Sequence, residues 1–338
     1  MVLEHLLAFF PEAPDRVRAS VEALSAEERS RLRQEANRQG FESLLAATGV
    51  PEFAAAPPLA RVERFQFTRH RHATLDLARH LTDAGIDVLL IKGSVLADRL
   101  YVMPPLESWM RPPGDIDLFV SPSALDRAVE VLRGAGLELV DDPRVRRSSV
   151  KHSVDFRGID GRLAGLFVEL HAHLSHSPWR ENLEFEALFE RGEALTTENP
   201  CQRVLDPIDE LIFLASHGVG HRFEHVKWLF DLKLRAMQPQ GFDWSPLWPR
   251  AEACRSARAL ALALWTLEQR LSIDLTAYGI ERRRVSRIRR TLYDTARSMD
   301  SSWSAPRGLL TCLLLVDEPS LSLVKPLTAL ALDKLRSR

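Results

Sequence analysis

The first fifty residues of the chain have a helical pattern. Within them, the Ser-Ala-Glu-Glu sequence at residues 25–28 is a capping box, in which the serine binds the helix backbone and the last glutamate reaches back. We expect this helix to end near Gly40. Residues 51–58 are rich in proline and alanine and predict a connector, after which a long helical pattern covers residues 59–84.

Short apolar runs of strand length follow, all of them between residues 86 and 171. Three of these runs predict strands, at residues 86–91, 115–120 and 137–140. Two more extended segments are joined by a Gly-Ile-Asp-Gly sequence and predict a hairpin, near residues 153–157 and 163–170. Because helical segments separate the first three runs, the sequence predicts a small mixed sheet here.

From about residue 181 onward the pattern is almost wholly helical. Asp206 and Pro207 predict a helix start, since aspartate is a good N-cap and proline fits the first turn. Four later segments also fit helices, at roughly 246–272, 278–298, 304–316 and 320–336. We therefore predict an α+β fold in three parts: an N-terminal helical region (1–58), a mixed α/β core (59–180) and a C-terminal helical domain (181–338).

Composition and charge narrow the class of protein. Of the 338 residues, 45% are hydrophobic, which suffices for a packed core, and the formal net charge of −1 provides no global basic field to attract nucleic acid. The three cysteines (Cys201, Cys254 and Cys312) have no metal-ligand spacing and fit a reducing compartment. No apolar run approaches the length of a membrane span, and we find no secretory signal, so we expect a cytoplasmic protein with no membrane or DNA partner.

The turn that follows the first predicted strand has the chemistry of a phosphate site. Lys92, Gly93 and Ser94 stand between that strand and a short helix, whose first backbone N–H groups can bind an anion. Glycine lets a phosphate approach the backbone closely, and the serine adds a hydroxyl. The lysine is a candidate charge partner for phosphates, and the alternative is a solvated lysine at a strand end.

The second predicted strand carries a pair of carboxylates. Asp115 and Asp117 are two residues apart, so an extended chain directs both side chains to one face, while Ile116 and Leu118 point into the core. Two converging carboxylates are costly unless a cation lies between them. Mg2+ suits such a site and usually arrives with substrate phosphates. The alternative is a solvated strand face.

A third carboxylate, Glu169, lies within the otherwise apolar Phe-Val-Glu-Leu-His sequence at residues 167–171. An unpaired carboxylate would be costly there, so we expect Glu169 to complete a metal site from a neighbouring strand. A salt bridge to Arg157 or Arg162 is the alternative.

These motifs together resemble the DNA polymerase β-type nucleotidyltransferase superfamily. The Leu-Leu-Ile-Lys-Gly-Ser sequence at residues 89–94 and the Arg-Pro-Pro-Gly-Asp-Ile-Asp sequence at 111–117 are similar to those of the bacterial "uncharacterised nucleotidyltransferase" family. The Val-Glu-Leu-His sequence at 168–171 stands where that family has Val-Asp-Leu-His, with glutamate in place of the more usual aspartate. A later helical stretch with His217, His221, Trp228 and Asp231 also resembles the family, and the resemblance covers roughly residues 60–235.

The resemblance implies a minimal polymerase β-like nucleotidyltransferase core, which moves a nucleoside monophosphate from an NTP to an acceptor hydroxyl and releases pyrophosphate. It implies Mg2+ as the cofactor, with Mn2+ as the alternative, and an NTP as co-substrate. The implied catalytic and metal-binding residues are Asp115, Asp117 and Glu169. The implied nucleotide-binding residues are Lys92, Gly93, Ser94, Arg111, His217 and His221.

The acceptor and two rival functions remain open at the level of sequence. A hydroxyl of a small molecule, a peptide or a protein is favoured over RNA, because the net charge is near zero. The alternatives are a toxin-like nucleotidyltransferase that acts on tRNA or protein, and an inactive protein that binds a nucleotide or a partner. The sequence has neither a P-loop nor the Gly-x-Ser-x-Gly motif of many hydrolases.

Several histidine and arginine clusters could indicate a metal site or an anionic partner, but a structural role explains each of them better. His171, His173 and His176 lack the spacing of common zinc sites, and His171 is instead a candidate to orient Glu169. Two basic runs, at residues 61–72 and 282–290, could face an anionic partner but fit solvated helix faces better.

Overall fold

A computed structural model describes residues 2–50, 53, 57–140, 153–174, 183–197, 200–239 and 241–299. The chain forms two compact units, of which the first contains the described residues up to 174 together with 183–210, and the second contains those from 211 onward. The helices predicted at 304–316 and 320–336, as well as His176 and Cys312, lie outside the described residues. The division into three sequence domains stays a prediction.

The N-terminal region is helical, as predicted. Its helices are α1 (Val2–Phe9), α2 (Pro14–Glu22), α3 (Ala26–Gln39) and α4 (Glu42–Ala46). The predicted capping box is present at the start of α3, where the Ser25 side chain accepts a hydrogen bond from the Glu28 backbone, and the Glu28 carboxylate accepts one from the Ser25 backbone at 2.8 Å. Gly40 ends α3 in the left-handed conformation, with φ +76°.

A seven-stranded mixed sheet forms the centre of the first unit. Its strands are β1 (Val88–Leu90), β2 (Ile116–Phe119), β3 (Leu137–Leu139), β4 (Ser153–Gly158), β5 (Phe167–His171), β6 (Glu193–Ala194) and β7 (Gln202–Val204). They lie in the order β3-β4-β5-β2-β1-β7-β6. The β1/β7 and β2/β5 pairs are parallel and the other neighbours are antiparallel. The predicted hairpin is confirmed as β4 and β5.

The apolar face of this sheet packs against helices. The helices of this unit after α4 are α5 (Pro57–Asp83), α6 (Gly93–Leu100), α7 (Leu125–Gly134) and α8 (Phe185–Arg191). Ile116 and Leu118 of β2 share one buried cluster with Leu77 of α5, Leu132 of α7 and Leu170 of β5. Side chains alternate between the two faces of a strand, so the residues between these apolar positions point to the opposite face.

Two strands contradict the expectation of almost wholly helical structure beyond residue 180. Strands β6 and β7 lie there, and β7 joins the sheet through parallel pairing with β1, with Val88 opposite Gln202 and Leu90 opposite Val204. These strands are short, and their extended form depends on a partner far away in the chain. Local periodicity therefore gave no indication of them.

The second unit is helical throughout its described part. Helix α9 (Pro207–Gly220) begins in the first unit and continues into the second, which also contains α10 (Val226–Ala236), α11 (Leu247–Ala253), α12 (Ala257–Leu271) and α13 (Arg287–Ser298). The predicted N-cap of α9 is confirmed, since the Asp206 carboxylate accepts hydrogen bonds from the backbones of Ile208 and Asp209 at 2.9 and 2.8 Å. None of the helices in the described ranges combines the length and apolar character needed to cross a membrane.

Candidate metal and nucleotide site

The parallel pairing of β2 with β5 places two predicted site residues side by side. Asp117 is directly opposite Glu169, and Phe119 is opposite His171. Residues in register on neighbouring strands point to the same face, so the two carboxylates share the face opposite the apolar core. The sequence analysis expected Glu169 on a strand beside the aspartates, and the register places it there.

His171 completes a compact group of ligand atoms with these carboxylates. Its Nε2 lies 3.1 Å from Oδ1 of Asp117 and 3.5 Å from Oε2 of Glu169. One ligand atom from each of the three residues lies within 4.8 Å of the others. Two donors at right angles around a Mg2+-sized ion would be about 3 Å apart, as follows from its metal–oxygen distances. The donor set and spacing therefore fit a divalent cation.

Lys92 also binds the aspartate of this group. Its Nζ lies 2.7 Å from Oδ1 of Asp117, and the two side chains are only 14% and 7% exposed. Burial favours the protonated carboxyl, but the Lys92 charge and the hydrogen bonds from His171 and Lys92 outweigh it, so the pKa of Asp117 lies well below its ordinary value. Asp117 is therefore a carboxylate at neutral pH.

Asp115 lies outside the compact group. It is exposed and directly precedes β2, two residues before Asp117. Among the described residues, the metal-competent group consists of Asp117, Glu169 and His171. The pairing of Asp115 with Asp117 as metal ligands thus stays a prediction.

The turn after β1 is built on a buried histidine that the sequence analysis did not select. His70 of α5 places Nε2 3.0 Å from the Gly114 carbonyl and Nδ1 3.4 Å from the Ser94 hydroxyl. A carbonyl can only accept, so Nε2 carries the proton and Nδ1 accepts from Ser94. Burial, the largest influence, lowers the pKa of His70 and so favours this neutral ring. His70 thereby joins the Lys-Gly-Ser turn to the loop before β2.

Two of the predicted nucleotide-binding side chains, those of Arg111 and Ser94, make contacts within the protein at this turn. Arg111 is buried and donates from Nη1 to the Gly93 carbonyl at 3.2 Å, and Ser94 is buried beside His70. Both contacts hold the backbone of the turn in place. The direct phosphate contacts predicted for Arg111 and Ser94 stay predictions.

The basic run at residues 61–72 is not simply a solvated helix face, and that interpretation was wrong for His70. Arg64 pairs with Glu107, Arg69 donates to the Arg162 and Ala164 carbonyls, and Arg71 pairs with Asp98. A periodicity in the sequence could have revealed His70, which precedes the buried Thr74 and Leu77 by four and seven residues. It therefore lies on the inward face of α5.

A second residue missed at the level of sequence is Asp155 of β4. It is opposite Glu169 in the antiparallel β4/β5 pair, just as Asp117 is opposite Glu169 in the parallel pair. Three carboxylates therefore form a row across three neighbouring strands. The alternation of side chains along the predicted hairpin puts Asp155 on the same face as Glu169 once the β4/β5 register is known.

The remaining predicted binding residues lie in the second unit, with His217 within α9 and His221 directly after its last residue. Their ring centroids are 4.6 Å apart, and the Trp228 ring lies 5.2 Å from His217 and 4.9 Å from His221. The three side chains thus form a partly exposed aromatic cluster. Their contact with a nucleotide stays a prediction.

We expect Gly93→Ala to distort the turn and to destabilise the protein by about 2 kcal/mol, because Gly93 has φ +66° and an added Cβ would lie 3.2 Å from Cε1 of His70. Gly165→Ala is a matched control, since φ there is +76° with nothing within 4 Å. Thermal unfolding of both variants measures the difference. An equal loss in both would contradict a close fit between the turn and His70.

Comparison with known proteins places this site within a matched region. A family model described as "Uncharacterised nucleotidyltransferase" matches residues 55–272. That range contains the turn after β1, strands β2 and β5, His70, His217 and His221. No curated protein matches the chain.

Proposed function

The chain belongs to the uncharacterised nucleotidyltransferase family, and we propose that it transfers a nucleoside monophosphate from an NTP to an acceptor hydroxyl with release of pyrophosphate. The observation that carries this proposal is the register of Asp117 with Glu169, with His171 against both carboxylates and Lys92 on Asp117. This arrangement supports a cation site beside a turn suited to phosphates.

Asp117 and Glu169 would hold Mg2+, or Mn2+ as the alternative, with Asp115 contributing a further ligand. The bound ion would supply charge neutralisation at the α-phosphate and activation of the acceptor hydroxyl. Glu169 either binds the ion on the acceptor side or removes the proton from the hydroxyl. The compact spacing of the carboxylate and imidazole atoms supports this assignment.

The turn after β1 would hold the β- and γ-phosphates. The left-handed Gly93 allows close approach to the backbone at the start of α6, and Lys92 provides positive charge at the same place. We assign Arg111 and His70 to positioning, since Arg111 donates to the Gly93 carbonyl and His70 contacts Ser94. Ser94 itself remains a candidate phosphate ligand.

The proposal also covers His217, His221 and the acceptor. His217 and His221 are assigned to substrate binding, where the rings around Trp228 could stack on a planar group. We favour a hydroxyl of a small molecule, peptide or protein over RNA, because the net charge is −1 and a row of carboxylates lies beside Glu169. The toxin-like enzyme that acts on tRNA or protein is the rival within the same chemistry.

The direct test is pyrophosphate release from each NTP with Mg2+ or Mn2+ and a cell extract that supplies the acceptor hydroxyl. We expect Asp115→Ala to lower the rate by at least about a hundredfold, the loss typical of removing one group that stabilises charge in the transition state. Because Asp115 is exposed, the substitution should leave the fold intact, which circular dichroism would check.

Asp83→Ala is the matched control, since Asp83 is an exposed carboxylate at the far end of α5. This control should release pyrophosphate at the wild-type rate. Absence of metal-dependent release from wild type with every NTP, despite nucleotide binding, would instead favour the inactive binding protein.

A further inference from the structure

The imidazole of His171 is placed differently from a histidine that only supports a carboxylate. Its Nε2 faces both carboxylates of the candidate site, 3.1 Å from Asp117 and 3.5 Å from Glu169, and its side chain is 9% exposed. A supporting histidine needs only one of these contacts to orient a carboxylate. Because one ligand atom from each of the three residues lies within 4.8 Å of the others, Nε2 is close enough to both carboxylates to act as a third donor to one ion.

Nitrogen in the donor set affects which ion the site prefers. Mg2+ is bound almost entirely by oxygen, whereas divalent transition-metal ions accept imidazole, and their affinity for a mixed site rises along the first row of the series. Two carboxylate oxygens and one imidazole nitrogen thus form a site better suited to a transition-metal ion than three oxygens would be.

We propose that His171, in the tautomer with its proton on Nδ1, is a direct ligand through Nε2 of the ion held by Asp117 and Glu169, and that this nitrogen makes the site prefer a divalent transition-metal ion over Mg2+. The inference rests on the proposed function, since it concerns the cation of the same site. The rival explanation is that His171 only donates a hydrogen bond to the carboxylates, as histidines beside metal ligands do.

Mn2+ is a suitable probe because its unpaired electrons report on directly bound nitrogen. Pulsed electron paramagnetic resonance of the wild-type protein with Mn2+ and no nucleotide should show hyperfine coupling to an imidazole nitrogen. His171→Gln should lose that coupling, since glutamine keeps an N–H donor near the carboxylates but offers the ion only oxygen. His173→Gln is the matched control, because His173 is exposed just beyond β5, and it should keep the coupling.

Competition between Mn2+ and Mg2+ provides a second measurement. We expect His171→Gln to weaken Mn2+ binding by roughly tenfold or more, a loss at least as large as that for an outer-shell partner of a metal ligand, while Mg2+ binding changes far less. A hydrogen-bonding role predicts instead that glutamine maintains both affinities. If His171→Gln binds Mn2+ as tightly as wild type does, and Mg2+ binding is also unchanged, the inference is overturned.

Three further outcomes would also overturn it: no nitrogen coupling in wild type, coupling that persists in His171→Gln, or no detectable Mn2+ binding. These outcomes are separate from a failure of the proposed function, because no nucleotide is present. Nitrogen coordination without pyrophosphate release would support the ligand and reject the enzyme. Pyrophosphate release without nitrogen coordination would support the enzyme and reject His171 as a ligand.

Discussion

Asp117→Asn should lower pyrophosphate release by about a thousandfold, at the upper end for loss of one charged group in a catalytic site. The large effect is expected because Asp117 contributes to every part of the site. Its Oδ1 contacts Lys92 at 2.7 Å and His171 at 3.1 Å, and its strand register places it beside Glu169. Asparagine keeps the size of the side chain but removes its charge. Initial rates at saturating NTP and metal would measure the loss.

Asp155→Asn is the control for this experiment, because it removes a carboxylate from the same row one strand farther from Asp117. Asp155 is not a member of the compact metal-competent group, so we expect less than a tenfold loss. Thermal unfolding of both variants would separate an effect on catalysis from an effect on the fold. Wild-type turnover by folded Asp117→Asn would reject the assignment of Asp117 as a metal ligand.

Lys92→Met should destabilise the protein by about 3–5 kcal/mol at neutral pH, the usual cost of removing one partner of a buried ion pair. The pair qualifies as buried, since the Lys92 and Asp117 side chains are 14% and 7% exposed. Methionine fills a similar volume but leaves the Asp117 charge without its ammonium partner. Thermal unfolding at a series of pH values would measure the effect.

The pH dependence of this loss follows from the pKa of Asp117, which the Lys92 and His171 contacts hold well below its ordinary value despite burial. A depressed pKa stabilises the fold fully above the unfolded value of about 4, and this stabilisation is lost as the pH falls toward the folded value. The difference between wild type and Lys92→Met should therefore be largest above about pH 4 and decrease below it.

Lys92→Arg is the control that keeps a positive charge at this position and should recover most of the stability. Added Mn2+ should stabilise Lys92→Met more than wild type, because the variant site no longer contains a competing cation. If Lys92→Met unfolds at the wild-type temperature throughout the pH series, the pairing with Asp117 does not contribute to stability.

Much of the site was predictable because its motifs are local in sequence. The Asp-Ile-Asp-Leu sequence at residues 115–118 alternates acidic and apolar residues, and that alternation assigns each side chain to a face. An acidic residue in the apolar strand around Glu169 indicated a partner for the same reason. The α+β fold and the capping box of α3 follow from patterns of similar length.

The contacts within and beside the site could not be predicted because they depend on tertiary structure. Lys92 was expected to bind phosphate, and only the folded chain places its ammonium on Asp117. His70 lies in a basic run, and its charged neighbours conceal that its own side chain faces inward. Asp155 gained its place from strand register, which a single sequence does not specify.

The position of β7 has a consequence for the order in which the site is made during synthesis. Strand β1, which leads into the Lys-Gly-Ser turn, lies between β2 and β7, and β7 pairs with it only through Gln202–Val204. On the ribosome the turn and both acidic strands emerge well before that segment does. One edge of β1 therefore remains open in the nascent chain, and the central sheet is completed only after the residues of β7 have been translated.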